Sequence, residues 1–308
     1  MMKVLVLGGS GWLGHHIARQ FQAAGDEVVI ASRGVKTVFL EDCSDLPQVC
    51  VDKKSDDAMR ELLKEDFDII ADSMPFPETI SAIARYARRL KRYLHCSSTG
   101  GYAPLPFLPC DETAPYTGFP YGGGWKLKVE VDRLAMRLFM EQGFPATVIR
   151  PCYITGPGLL PLDNLGGRRE DFLDDLAAER ELDLPDNGQA LLQPVHVEDL
   201  AAAFVCAANS RQARGQIYNI CCDHALTIAD YVRLNAAAIG HEAHLHFVDL
   251  ETMLRKYAGT CSEVGLRFFA THMCFANAKA RTQLGWAPRY SAIAAIEETA
   301  RWAVTHRG

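Results

Sequence analysis

Lys3-Val4-Leu5-Val6-Leu7 runs directly into Gly8-Gly9-Ser10-Gly11-Trp12-Leu13-Gly14, and His15-His16-Ile17-Ala18-Arg19-Gln20-Phe21 follows at helical period. The apolar run predicts a buried strand, the glycines a tight turn, and the last segment a helix. Glycines in such a turn let the backbone approach a pyrophosphate and let the helix pack closely on its strand. The helix N-terminus then aims N–H donors at the phosphates. A glycine pattern alone carries little weight, but between a strand and a helix it is a dinucleotide-binding signature. Gly8, Ser10, Gly11, Trp12, Leu13 and Gly14 are therefore the expected phosphate cradle.

Outward from this turn, short apolar runs predict strands at 27–31, 48–51, 68–71, 92–96 and 146–150, with helical stretches at 13–24, 56–65, 78–89 and 125–142 between them. Strands alternating with helices are βαβ units, and nearly continuous apolar strands are covered on both faces. The expected fold is α/β, a Rossmann-type doubly wound parallel sheet with a smaller discontinuous C-terminal lobe. The pattern changes after Gly156-Pro157-Gly158. Residues 1–156 plus about 190–222 are expected to form the dinucleotide-binding domain, and about 157–189 plus 223–308 the substrate lobe.

Within the 308 residues, 48% are hydrophobic and 23% charged, which supplies a sizeable core and excludes disorder as the dominant state. A formal charge of −6 lacks the basic footprint of a dedicated nucleic-acid binder. No apolar run is long enough to span a bilayer, and the N-terminal run, short and without a cleavage site, is not expected to act as a signal peptide. The ten cysteines include no CxxC pair, so neither a disulfide framework nor a metal site is expected. The chain reads as cytoplasmic, with a small-molecule substrate as partner and a homodimer admissible.

The ends of the strands carry the choice of cofactor. An NAD site usually has an acid about 20 residues beyond the glycines. Here the second strand ends in Ser32-Arg33-Gly34, where Arg33 can pair with a 2′-phosphate and Ser32 can donate a hydrogen bond. NADP is thus preferred and NAD remains open. Asp52 is placed to accept from the adenine amine, and Ser73 and Met74 lie where a doubly wound sheet opens its crevice.

The opening GGSGWLG, Ser97-Ser98-Thr99-Gly100-Gly101-Tyr102, Arg150-Pro151-Cys152-Tyr153-Ile154-Thr155-Gly156-Pro157-Gly158, Pro194-Val195-His196-Val197-Glu198-Asp199 and Leu284-Gly285-Trp286-Ala287-Pro288 occur in order across the chain. Together they resemble the extended short-chain dehydrogenase/reductases, the family of NAD-dependent epimerases and dehydratases. The resemblance implies a catalytic Ser and a Tyr-x-x-x-Lys pair. In that pair the Lys binds the nicotinamide ribose and lowers the Tyr pKa, so that the phenol exchanges a proton while hydride moves. Ser98 matches the Ser, Lys126 with Glu130 matches the Lys-x-x-x-Glu half, and Pro151 falls in a cofactor-binding motif.

The Tyr position, four before Lys126, is Gly122. Tyr121 is rotated from the required face by about 100° on a regular helix, although the three glycines that follow permit it to swing in. Tyr121 is therefore the expected acid/base, and the alternatives are that Tyr102 or Tyr116 substitutes or that the relay is missing. This departure resembles the family's atypical chloroplast stem-loop-binding proteins, which act on RNA. Against RNA stand the net charge and the position of Arg85, Arg88, Arg89, Lys91 and Arg92 at a helix end.

The resemblance also implies an Asn, for a nucleotide-sugar diphosphate, where Tyr153 stands. Tyr153, Thr99 and Tyr102 are read as lining a pocket for a smaller or more apolar substrate. The expected activity is hydride transfer at a CH–OH or carbonyl carbon. The alternatives are epimerisation or dehydration by transient oxidation, and a dinucleotide-responsive or RNA-associated binding protein without catalysis. His244 and His246 are read as the polar face of a strand and Asp199 as a helix-start residue.

Overall fold

Val4 and Val6 face one side of the first strand, Leu5 and Leu7 the other, and all four are fully buried. A strand covered on both faces needs helices above and below it, and the chain supplies them in alternation. The computed structural model describes residues 1–34 and 43–306. Positions 35–42 and 307–308, which the expected domain division includes, lie outside the described residues.

The first half runs β1 (Lys3–Leu7), α1 (Trp12–Ala23), β2 (Glu27–Ser32), β3 (Gln48–Cys50), α2 (Asp56–Leu62), β4 (Ile69–Asp72), α3 (Pro77–Tyr86), β5 (Arg92–Cys96), α4 (Trp125–Gln142) and β6 (Ala146–Pro151). There follow β7 (Tyr153–Thr155), α5 (Phe172–Ala177), β8 (Glu181–Pro185), β9 (Leu191–Leu192), β10 (Pro194–His196), α6 (Val197–Asn209) and β11 (Gln216–Ile220). The chain closes with β12 (Leu226–Thr227), α7 (Ile228–Ala238), β13 (His244–Val248), α8 (Leu250–Lys256), α9 (Glu263–Phe269), α10 (Ala278–Leu284) and α11 (Ala292–Thr305).

The seven-stranded sheet has the order β3-β2-β1-β4-β5-β6-β11, parallel throughout. One face packs Ile17 and Phe21 of α1 with Leu200 and Phe204 of α6. The other packs Met59 of α2, Ile80 and Ile83 of α3, and Val131 and Ala135 of α4. Each such large apolar side chain contributes ~1.5–3 kcal/mol relative to exposure. The strand order reverses between β1 and β4, so the ligand crevice opens beyond their carboxyl ends.

A separate core joins Phe172, Leu184, Tyr231, Phe269 and Ile296 from the later elements. β11 returns to pair with β6, while Ala280, Leu284 and Trp286 pack in the first core. No described helix is long and apolar enough to cross a membrane.

Candidate active site

Gly8 takes φ +83°, a conformation that side chains resist, and its carbonyl accepts from Gly11 N–H at 2.9 Å. A Cβ on Gly14 would lie 2.0 Å from the same carbonyl, so only glycine lets α1 sit this close to the turn. The N-cap Gly11 offers no side-chain acceptor. The N–H groups of Trp12, Leu13 and Gly14 therefore have no intrahelical partner, and with Ser10 in the turn they form a cradle suited to a diphosphate.

At the crevice edge, Ser32 Oγ accepts from Gly34 N–H at 3.3 Å and Arg33 is exposed. Asp52 lies in the turn after β3, accepting from Lys54 N–H at 3.0 Å. Ser73 Oγ donates to Leu7 O at 3.0 Å, and a Cβ on Gly8 would lie 2.4 Å from it, so Ser73 covers the turn. Asp72, fully buried, accepts from Lys53 Nζ at 2.5 Å and from Met74 N–H at 3.1 Å. Met74 is 52% exposed over the crevice.

A cavity of about 360 Å³ begins at Trp12 and runs past Ser98, Thr99 and Gly100 into the lobe. Ser98 Oγ accepts from Gly100 N–H at 3.1 Å, which leaves its own proton to donate. Thr99 Oγ1 donates to the Pro151 carbonyl at 3.2 Å, tying this turn to β6. The Tyr153 ring lines the cavity, while its hydroxyl is buried with no partner among the described residues.

The three candidate tyrosines lie elsewhere. Tyr102 is buried, donates to Asn219 Oδ1 at 3.2 Å and accepts from Arg150 at 2.5 Å; burial pushes its phenol up to about 12. It supports the cavity from behind and does not line it, contrary to the substrate-binding expectation. Tyr116 donates to the Ser98 carbonyl at 2.7 Å, and burial drives its pKa well up. Tyr121 is 57% exposed, with its ring against Phe119 and the Arg267 guanidinium 4.9 Å from its centroid. It stands outside the cavity.

The lysine expectation is also corrected by the structure. Lys126 is exposed, in a groove with Ser81, Arg133 and Arg137 on the outer side of α4. Two residues on, Lys128 reaches the crevice: Nζ donates to the Cys96 carbonyl at 3.1 Å and lies 3.7 Å from Met74 Sδ. The acid four residues beyond it, Asp132, is buried between His95 Nε2 at 2.8 Å, Ser97 Oγ at 2.9 Å and Arg150 Nε at 2.9 Å. Burial raises the Asp132 pKa, but these donors and the Arg150 charge hold it below the usual carboxylate range. The buried register of the motif is thus Lys128 and Asp132, and the residue four before Lys128 is Gly124.

Trp125 fills the space beside the Ser98 turn. A Cβ on Gly100 would lie 2.0 Å from its Nε1 and one on Gly123 would lie 2.4 Å from its ring. Phe268 of α9 stacks on the indole with centroids 4.3 Å apart. Sequence reasoning missed both residues. An aromatic at a helix start and another some 140 positions later give no signal of contact until the lobe folds over.

The remaining motifs have structural partners. Asp199 lies in the first turn of α6 and accepts from Arg289 and Tyr290 N–H, both at 3.0 Å. His246 on β13 meets Asp183 at 2.9 Å. Arg85 pairs with Asp56, Arg89 with Asp66 and Lys91 with Asp68, which neutralises most of that basic cluster.

The family model described as NAD dependent epimerase/dehydratase matches residues 4–73 and 77–221. The chain is 26% identical over 313 residues to the chloroplast stem-loop binding protein of 41 kDa b of Arabidopsis thaliana, covering 96% of this chain and 78% of the relative. It is 24% identical over 348 residues to the UDP-glucose 4-epimerase of Lacticaseibacillus casei, covering 99% and 98%. In fold it resembles a solved dTDP-glucose 4,6-dehydratase from Bacillus anthracis in complex with NAD, with TM-score 0.79 at 16% identity over 100% of this chain and 98% of that one.

Proposed function

Because the chain belongs to the NAD dependent epimerase/dehydratase family, a family of enzymes, we propose that it transfers hydride between a nicotinamide cofactor and a carbinol or carbonyl carbon of a small organic substrate. One observation carries this reading: Trp12 of the phosphate turn and Ser98 line the same cavity. The nicotinamide, when bound, supplies or accepts the hydride. The Gly8–Gly14 turn would hold the diphosphate, and Lys128, whose Nζ reaches from α4 to the Cys96 carbonyl at the end of β5, would bind the ribose hydroxyls. Ser98 donates to the substrate oxygen.

Of the predicted catalytic residues only Ser98 lines the cavity, so the proton of the reaction passes between the substrate oxygen and solvent on that side. Tyr121→Phe is accordingly expected to keep most of the turnover. The strand end Ser32-Arg33, with no acid to repel a 2′-phosphate, supports NADP over NAD. The ten cysteines, none in a disulfide among the described residues, fit a reducing compartment and support a cytoplasmic location.

The test is calorimetric titration of the full chain with NADPH, NADH, NADP and NAD. The phosphorylated pair is expected to bind at least about tenfold more tightly, a preference that Arg33→Ala removes; one charge-assisted bond to a phosphate is worth ~1.5–3 kcal/mol. An unchanged ratio in the variant overturns the NADP assignment. Failure of all four to bind overturns the redox reading and favours the binding-protein alternative. Net NADPH consumption with a carbonyl substrate separates a reductase from an epimerase, which returns its cofactor unchanged.

A second reading, RNA association, has one observation in its favour: Lys126, Arg133 and Arg137 line the groove between α3 and α4. Salt-dependent binding of a stem-loop RNA, lost on changing these three residues to Ala, would support it.

A further inference from the structure

The walls of the cavity beyond Ser98 are aromatic and aliphatic. Trp125 and Phe268 form a stacked pair, Phe269 and Phe275 continue the wall, and Leu159 and Leu192 face the same space. The one lysine, arginine or histidine on the described walls is Arg168. Its guanidinium already donates to the Leu160 carbonyl and, at 3.1 Å, to the Ile154 carbonyl, and it lies 4.9 Å from the Tyr153 ring centroid. A diphosphate placed there would lose its water and gain few donors, which is costly for a charged group. Polar capacity is concentrated at the Ser98 end. There the Trp125 Nε1–H, packed on Gly100, has no hydrogen-bond partner among the described residues.

We propose that this cavity binds a planar, uncharged aromatic compound bearing a carbonyl or hydroxyl oxygen. Its ring lies against the Trp125–Phe268 wall and its oxygen accepts from Trp125 Nε1–H and Ser98 Oγ–H. An indole N–H donates a hydrogen bond without giving up its proton, so Trp125 positions the oxygen and takes no part in proton exchange. The volume is at the small end of the ~300–1,000 Å³ usual for ligand pockets, which suits a one- or two-ring compound. The assignment rests on the hydride-transfer reading only in taking the Ser98 end as the reacting end.

Calorimetry on the full chain saturated with NADP tests it, with 2-acetylnaphthalene, naphthalene and UDP-glucose as probes. The ketone is expected to bind saturably, and naphthalene about tenfold more weakly for want of the oxygen. UDP-glucose is expected to give no measurable heat. Trp125→Phe keeps a ring in the wall but removes the donor, so it should weaken the ketone about fivefold to tenfold and leave naphthalene unchanged. Phe268→Ala should weaken both ligands about tenfold. Tighter binding of UDP-glucose than of the ketone overturns the proposal, as does ketone binding that neither substitution alters, or no ketone binding to a protein that binds NADP. In a parallel run with NADPH in place of NADP as the hydride donor, ketone binding without oxidation of the cofactor overturns the hydride-transfer reading alone.

Discussion

Lys126 and Lys128 occupy opposite sides of α4, although both have an acid four residues further on. Residues 126, 130, 133 and 137 are exposed, whereas 131, 132, 135 and 138 are buried and 128 lies beside them over the crevice. Lys128→Met is therefore expected to weaken NADPH binding by about tenfold to a hundredfold, the value of one charge-assisted hydrogen bond, while Lys126→Met changes it less than about twofold. Fluorescence titration of the two variants checks this, and equal effects would remove Lys128 from the site. The Lys-x-x-x-acid spacing was legible in the sequence in two registers, and spacing cannot choose between them. The apolar period through Val131, Ala135 and Leu138 does choose, since it places Asp132 on the covered side. That no tyrosine stands four residues before either lysine was legible too. The packing of Trp125 beside the Ser98 turn was not, because that depends on the bare backbones of Gly100 and Gly123 and on a ring brought from α9.

At the scale of elements, the start of α6 joins the phosphate-turn helix to the C-terminal segment. Glu198 accepts from Gln20 of α1 at 2.7 Å and pairs with His16. His196 caps α6 through Nδ1 and stacks on Tyr290 with centroids 3.7 Å apart. Burial pulls the His196 pKa from 6.5 down to about 4, and the His16 bond draws Glu198 from 4.5 to about 2. A base whose folded pKa is lowered leaves the unfolded chain binding more protons, so stability falls as pH drops from 6.5 towards 4. Glu198 adds a second decline as pH drops from 4.5 towards 2. His196→Asn keeps a good N-cap and removes the first titration. Melting temperatures between pH 7 and 4.5 are expected to fall for the native chain and to flatten in the variant; parallel curves would assign the acid sensitivity to other groups. Sequence period located these helices, but not all their ends. The helix expected over 78–89 stops at Tyr86, because Ala87 turns to an extended conformation with ψ 90°, which keeps Arg85 in the last turn and leaves Arg88, Arg89 and Lys91 beyond it.

For the whole molecule, the question is whether the sheet and the lobe unfold together. Three links cross between them: Trp12 Nε1 donates to the Pro157 carbonyl at 2.5 Å, Gly156 N–H to Thr299 Oγ1 at 2.8 Å, and the Asp199 carboxylate holds the backbone that leads into α11. Trp286 adds an indole bond to the Asp199 carbonyl at 2.9 Å and packs in the first core, on the α1 and α6 face of the sheet, while Ile296, Ala300 and Ala303 of α11 pack in the separate core of the later elements. One stretch of chain is thus anchored in both cores, with Asp199 at its hinge. Asp199→Ala takes the acceptor from two partly exposed N–H groups, Arg289 and Tyr290, at a cost of ~1.5–3 kcal/mol. If these anchors couple the cores, urea unfolding followed by tryptophan fluorescence and by circular dichroism is expected to coincide in the native chain. In the variant the two probes should separate, as the lobe loosens first. Coincident transitions in the variant, with only a lower midpoint, would mean that the shared cavity wall and not the C-terminal strap carries the coupling.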